Sequence, residues 1–317
     1  MQAVRTDAAM VPSMTPKRWL FCFSALALCA PVACFVWYFR LFALLWYWPD
    51  AETGKSGLGL TSYRTVIEAR PIAGLKDNVS ALTYDPRSGT LFTVINNPPQ
   101  IAELTTDGEL LRTIPVDGAQ DPEGITHMRN ELFVLADERR YEIRRIPVTR
   151  QTDRIDLGGM PRLALDIMSG GNLGFEGLAW NEKRQRLFVA KEKTPATVFV
   201  IDGLSEWDGR MNLQIREWRA RQPFARFMRD LSSLSLVDTT GNLLLLSDES
   251  ALLAEYAPDG ELLGILLLWP GWHGLTRPVP QAEGVTVDEN GVIYMVSEPN
   301  LFYRFEPQAA RHPKKRR

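Results

Sequence analysis

Between residues 63 and 306 the chain alternates short apolar, β-branched and aromatic runs with turns of the Asp-Gly, Asn-Gly and Pro type. That pattern predicts β-strands of four to eight residues joined by tight turns. A ten-residue segment, Ala102-Glu103-Leu104-Thr105-Thr106-Asp107-Gly108-Glu109-Leu110-Leu111, returns as Ala254-Glu255-Tyr256-Ala257-Pro258-Asp259-Gly260-Glu261-Leu262-Leu263. Each copy reads as a strand, an Asp-Gly hairpin turn and a returning strand. A shorter opening strand recurs as Glu123-Gly124-Ile125-Thr126, Glu176-Gly177-Leu178-Ala179 and Glu283-Gly284-Val285-Thr286. Ser80-Ala81-Leu82-Thr83 and Ser232-Ser233-Leu234-Ser235 are looser copies. A second strand follows each: Leu91–Ile95, Leu132–Ala136, Leu187–Lys191, Leu243–Ser247 and Val292–Ser297. Five units about fifty residues apart, each with room for four strands, predict an all-β fold, a single β-propeller of five blades.

A propeller must close its ring, because an open last blade leaves an edge unpaired. The last unit shows three strands, and Tyr63–Ala69 is placed to supply the fourth. A six-bladed ring stays open if the stretch from Ile201 to Arg229 holds another blade; Glu206–Met228 is the exception to the lack of a long helical period, and its assignment is open.

The N-terminal region differs in kind. From Trp19 to Phe39 no residue is charged, which meets the roughly 20 residues a helix needs to cross a bilayer. Lys17 and Arg18 precede the run, while Asp50 and Glu52 follow, so the positive-inside bias puts the N-terminus in the cytoplasm. Arg40 can snorkel to the headgroups, and Trp46-Tyr47-Trp48 reads as an interfacial belt. The expected organisation is a cytoplasmic segment 1–18, a transmembrane anchor 19–48 and a linker 49–61 made flexible by Gly54–Gly59. A propeller domain 62–308 and a basic tail 309–317 complete it. A cleaved signal peptide is the competing reading; no small-x-small site closes the run, which favours an anchor. The expected location is a bacterial inner membrane crossed once, with the propeller in the periplasm.

All three cysteines (Cys22, Cys29 and Cys34) lie in that apolar stretch, so the propeller has neither a disulfide framework nor a cysteine metal site. A net charge of −2 provides no global field to recruit nucleic acid. Only the tail gathers positive charge, in Arg311 and Lys314 to Arg317, as a solvated end or a lipid-headgroup contact. No P-loop, dinucleotide fingerprint or Gly-x-Ser-x-Gly elbow is present. His127 and His273 lack zinc-ligand spacing.

Aligning the units places Asn96, Asp137, Glu192, Asp248 and Glu298 just after the second strand of each. Antiparallel pairing sets those positions beside the starts of the first strands, where Glu123, Glu176 and Glu283 stand. Crowded carboxylates repel and raise one another's pKa unless a positive charge sits among them. A hard dication with oxygen ligands, calcium above all, meets that need. The competing reading is that these acids cap turns or pair with Arg139, Arg140 and Lys191. Asp121 and Asp230, two residues before the opening motif, face the same choice.

Ser80–Asp85, Asn96-Asn97-Pro98-Pro99, Asp121–Thr126, Phe175–Ala179 and Gln281–Thr286 together resemble the SdiA-regulated family of bacterial envelope proteins, over roughly Tyr63 to Glu306. The resemblance implies a propeller related to calcium-dependent phytases, an N-terminal membrane segment and a calcium-linked role. The Lys and Arg cluster with which a phytase grips phosphates has no clear equivalent here. Two functions are therefore expected: a calcium-binding or envelope-signalling module for a small-molecule or protein ligand, and, alternatively, a calcium-dependent phosphoester hydrolase.

Overall fold

The computed structural model describes residues 29–32, 34, 56–165, 174–193, 195–204, 212–221 and 223–308. Strand β1 (Tyr63–Pro71) comes first, and four-stranded antiparallel blades follow. Blade one is β2 (Val79–Asp85), β3 (Thr90–Asn96), β4 (Pro99–Leu104) and β5 (Leu110–Asp117). Blade two opens with β6 (Pro122–Arg129), β7 (Leu132–Asp137) and β8 (Glu142–Pro147). The chain then leaves it, pairs β9 (Ile155–Asp156) parallel to β5, and returns to lay β10 (Arg162–Ala164) as its outer strand. Arg144 anchors this excursion, donating to the Leu157 carbonyl at 2.8 Å and to Glu142 at 2.6 Å.

Blade three is β11 (Phe175–Asn181), β12 (Arg186–Lys191), β13 (Thr197–Asp202) and β14 (Gln214–Trp218). The unassigned stretch thus supplies the outer strand of blade three and, at Phe224–Arg226, one 3-10 turn. The described part of it adds no sixth blade. Blade four is β15 (Ser233–Val237), β16 (Asn242–Ser247), β17 (Leu252–Tyr256) and β18 (Leu262–Leu267). Blade five is β19 (Ala282–Val287), β20 (Ile293–Ser297) and β21 (Leu301–Pro307), completed by β1. The fold is a five-bladed β-propeller.

Closure takes the expected form: Tyr63 pairs with Pro307 and Pro71 with Leu301, so the first strand seals the last blade. The residues just before it, expected as a free linker, are packed instead. Leu60 is buried, and Asn242 Nδ2 donates to the Ser56 carbonyl at 2.9 Å. The buried Glu255 carboxylate accepts from the Leu58 amide at 2.8 Å and from Asn242 Nδ2 at 2.8 Å. Without the Leu58 amide this acid would keep a single partner, which is the reason the segment is held. Of the expected membrane run, residues 29–32 and 34 are described and are helical; the rest lies outside the described residues. Among the described residues no helix is long and apolar enough to cross a membrane.

The apolar core is divided into five clusters, each filling the gap between two neighbouring blades. Side chains of a strand alternate between the faces of its sheet, and here both faces are covered. Strand β16 shows the consequence. Leu243 and Leu245 join the cluster shared with blade three, Leu244 and Leu246 the one shared with blade five. That is why the strand reads as an unbroken apolar run rather than an alternating one.

Truncation tests the closure. Deleting residues 1–71 removes β1 whole, whereas deleting 1–54 keeps it together with the packed segment before it. The longer deletion is expected to cost several kcal/mol in urea denaturation, a large share of a domain's ~5–15. Equal unfolding midpoints for the two truncations would mean that blade five does not depend on β1.

Candidate cation site at the carboxylate mouth

The innermost strands β2, β6, β11, β15 and β19 surround the central channel, all running from one mouth to the other. In three of them the ladder to the second strand steps over one residue. Pro122 pairs with Asp137 and Gly124 with Ala136, leaving out Glu123. Phe175 with Lys191 and Gly177 with Ala190 leave out Glu176; Ala282 with Ser297 and Gly284 with Val296 leave out Glu283. A bulge re-aims its extra side chain, here at the mouth where the strands begin. The glycine that follows answers to crowding. A Cβ on Gly177 would stand 2.6 Å from the Leu234 amide nitrogen of the next blade, and one on Gly284 2.5 Å from the Ala81 carbonyl carbon. No side chain fits there.

The ladders also fix the second acidic position. Asp137 pairs with Pro122 as Lys191 pairs with Phe175 and Ser297 with Ala282. The residue in register with Glu192 and Glu298 is therefore Glu138, not Asp137. Asp137 is buried, and its carboxylate accepts from the Gln120 amide at 2.7 Å and the Arg140 amide at 3.2 Å, capping the turn. Asp121, Glu123 and Glu138 bring carboxylate oxygens within 4.8 Å of one another. Asn96 Nδ2 donates to Glu123 at 2.7 Å, and Glu138 accepts from the Gly174 amide at 3.0 Å.

Glu176 belongs to the neighbouring blade, in the field of Glu123, Glu138, Glu192 and Glu283. Glu283 feels Asp248, Glu123 and Glu298. Asp248 accepts from the Ala282 amide at 3.1 Å, and the buried Asp230 is spent on the Ser247 hydroxyl and the Glu249 amide. Basic side chains pair with the acids of this mouth. Arg139 meets Asp121 at 3.0 Å, and Lys193 bridges Glu192 at 2.5 Å and Glu249 at 2.8 Å. Neither histidine takes part: His273 meets the Tyr63 carbonyl at 3.0 Å, and His127 packs edge-on against Phe133 near the other mouth.

Burial, and then the neighbouring negative charges, set the protonation of this mouth. Burial lifts Glu123 to about 7 against the opposing pull of its Asn96 hydrogen bond, with Asp121 and Glu138 adding to the rise. Burial and the charge of Asp248 lift Glu283 to about 9, and burial with four acidic neighbours holds Glu176 well above the usual range. Glu138, Asp248 and Glu298 are also raised, burial leading in each.

A profile of the SdiA-regulated family matches residues 55–306. The chain belongs to the SdiA-regulated family. The match begins beside the packed segment at Ser56 and ends within β21, so it spans the blades of the ring. Among solved structures, a streptogramin B lyase has 10% identity over 80% of this chain and 100% of its own, with a TM-score of 0.47. A luciferin-regenerating enzyme has 12% identity over 75% and 94% with a TM-score of 0.47. A nidogen/laminin complex has 16% over 70% and 73% with a TM-score of 0.45. Likenesses this distant carry no functional argument for a member of the SdiA-regulated family.

The raised carboxyls give a signed pH dependence. Below about pH 4.5 they are protonated in folded and unfolded chains alike. As pH rises the unfolded chain ionises first, so the stability held by the protonated folded groups is lost through about 7 for Glu123 and about 9 for Glu283. In chelator, the urea midpoint is expected to fall over this range, and Glu283→Gln to flatten the upper part of the fall. A midpoint that holds steady or climbs would contradict the crowding.

Proposed function

We propose that this SdiA-regulated protein is a membrane-anchored periplasmic propeller whose carboxylate mouth binds a divalent cation, acting as a binding or envelope-signalling module. The supporting observation is the meeting of Asp121, Glu123 and Glu138 within 4.8 Å, beside a half-buried Glu176 whose field is set by four other acids. The donor set is all hard oxygen, which suits calcium and its tolerance of six to eight ligands in flexible geometry. Asp121, Glu123 and Glu138 would hold the ion, with Glu176 of the neighbouring blade beside them. Bound calcium supplies a positive centre that cancels the carboxylate repulsion and attracts an oxygen-bearing ligand. The chain's own residues keep the mouth rigid: the bulges fix the glutamates, and Arg139 and Lys193 hold the outer acids in place.

The phosphoester-hydrolase alternative needs free cations above the metal to grip phosphate. Arg139 and Lys193 are already engaged with acids of this chain, which favours the binding role. Assaying the purified protein for calcium-dependent phosphomonoester hydrolysis separates the two.

Calcium at a hundredfold excess over Kd is expected to stabilise the folded protein by about 2.7 kcal/mol, since it binds that state alone. Glu176→Gln keeps the side-chain shape, should leave the fold intact and should weaken the calcium response. Thermal melts indifferent to calcium and chelator would reject the site. The anchor reading rests on the uncharged run Trp19–Phe39 behind Lys17 and Arg18. Alkaline phosphatase fused after Arg317 should then be active in intact bacteria, with the full-length protein in the membrane fraction. A shortened, soluble periplasmic product would show a signal peptide instead.

A further inference from the structure

The opposite end of the channel is a different chemical place. There the inner strands end in their hairpin turns and enclose a cavity of about 320 Å³. Hydroxyls stitch the strands together around it: the His127 amide donates to Thr83 at 3.0 Å, Trp180 to Thr126 at 3.3 Å and Tyr84 to Thr286 at 3.2 Å. Blade four offers Ser235 at this level. Its hydroxyl belongs to a side chain only 7% exposed, lines the cavity and meets no hydrogen-bond partner among the described residues. The residue is buried but its hydroxyl stays accessible from the cavity, where it is free to bond a molecule that enters.

The wall sets four carboxylates, Glu182, Asp238, Asp288 and Glu289, against two titratable basic groups, Lys183 and His127, the latter 3.5 Å from Asp85. Three of the four are already engaged. Glu182 accepts from Trp180 Nε1 at 2.7 Å, Glu289 from the Tyr84 hydroxyl at 3.3 Å, and Asp288 from the Asn290 and Val292 amides and the Tyr294 hydroxyl. The exposed Asp238 carboxylate makes no hydrogen bond among the described residues; it lies in the field of His127 and of Lys183, whose Nζ donates to the Asp238 main-chain oxygen at 3.2 Å. The rest of the lining is largely apolar, with Leu82, Leu178, Leu236 and Val287 contributed by four different blades. A recess walled by acids concentrates cations, and an apolar lining selects those that carry a hydrocarbon body.

We propose that this cavity binds a small organic ammonium compound, its nitrogen on Asp238 and Ser235 and its apolar body against the leucines. The proposal is independent of the calcium reading, since the two sites lie at opposite mouths. The charged nitrogen pairs with the one carboxylate of the wall that makes no hydrogen bond among the described residues, and donates to the Ser235 hydroxyl. An anion of the same shape meets four like charges, and a neutral polyol leaves Asp238 unpaired.

Isothermal titration of the full-length protein in detergent with phenethylamine tests it, phenylacetate and glucose serving as the anionic and neutral comparisons. Saturable binding of the amine alone is expected, unchanged by saturating calcium. Asp238→Asn should weaken it about tenfold or more while leaving the calcium-induced rise in melting temperature as in the wild type. Thr239→Trp, at an exposed position of the lining, should block the cavity without touching the core. Amine binding that is absent, that survives both substitutions, or that glucose or phenylacetate matches would overturn the proposal. Competition by calcium would also overturn it, by moving the amine to the carboxylate mouth.

Discussion

Five strands that converge on one axis must approach one another closely where they begin, and most of the chemistry described above depends on that crowding. At Gly177 and Gly284 the next blade's backbone stands where a Cβ would be. A residue facing the neighbouring blade there has no room for a side chain, and the bulge turns the residue before it into the channel. The Glu-Gly pair is thus one structural solution with two halves. Repeating it in blades two, three and five brings three glutamates to one opening. Blades one and four carry Ser80-Ala81 and Ser232-Ser233 at the same level, so the negative charge is concentrated on part of the ring.

The blade architecture was legible because strand periodicity and turn chemistry are local. The opening motifs, the hairpins at Asp107-Gly108 and Asp259-Gly260 and the closing strand all come from short stretches of chain. The register of the acids along the channel mouth was legible to within one residue. Blade two has adjacent acids, Asp137 and Glu138, and only the ladder partners distinguish them. Pairing across from Pro122 assigns Asp137 to the end of the strand, where it caps backbone amides, and leaves Glu138 to face the channel. Spacing counted along the chain does not register a bulge, because a bulge is a mismatch between two strands.

The second mouth was not legible at all. Its lining comes from the ends of five strands spread over some two hundred residues, and the members that belong to the opening repeat read there as strand residues alone. Thr83, Thr126 and Thr286 recur in the sequence as part of the strand repeat. Their work as acceptors for the next blade's amides shows only when the ring is assembled. The packed segment at Ser56–Leu58 was hidden for a similar reason: its partner, Glu255, is about two hundred residues away.

The pairing of Tyr63 with Pro307 also gives the molecule a direction. The chain enters the ring past Asn242, at the hairpin joining β15 and β16, and the Gln308 amide leaves it bonded to the Ser62 carbonyl. Entry and exit therefore share the hairpin side of the disc. A surface that grips the chain by either end holds that side toward itself and turns the carboxylates outward, like a dish mounted by its back.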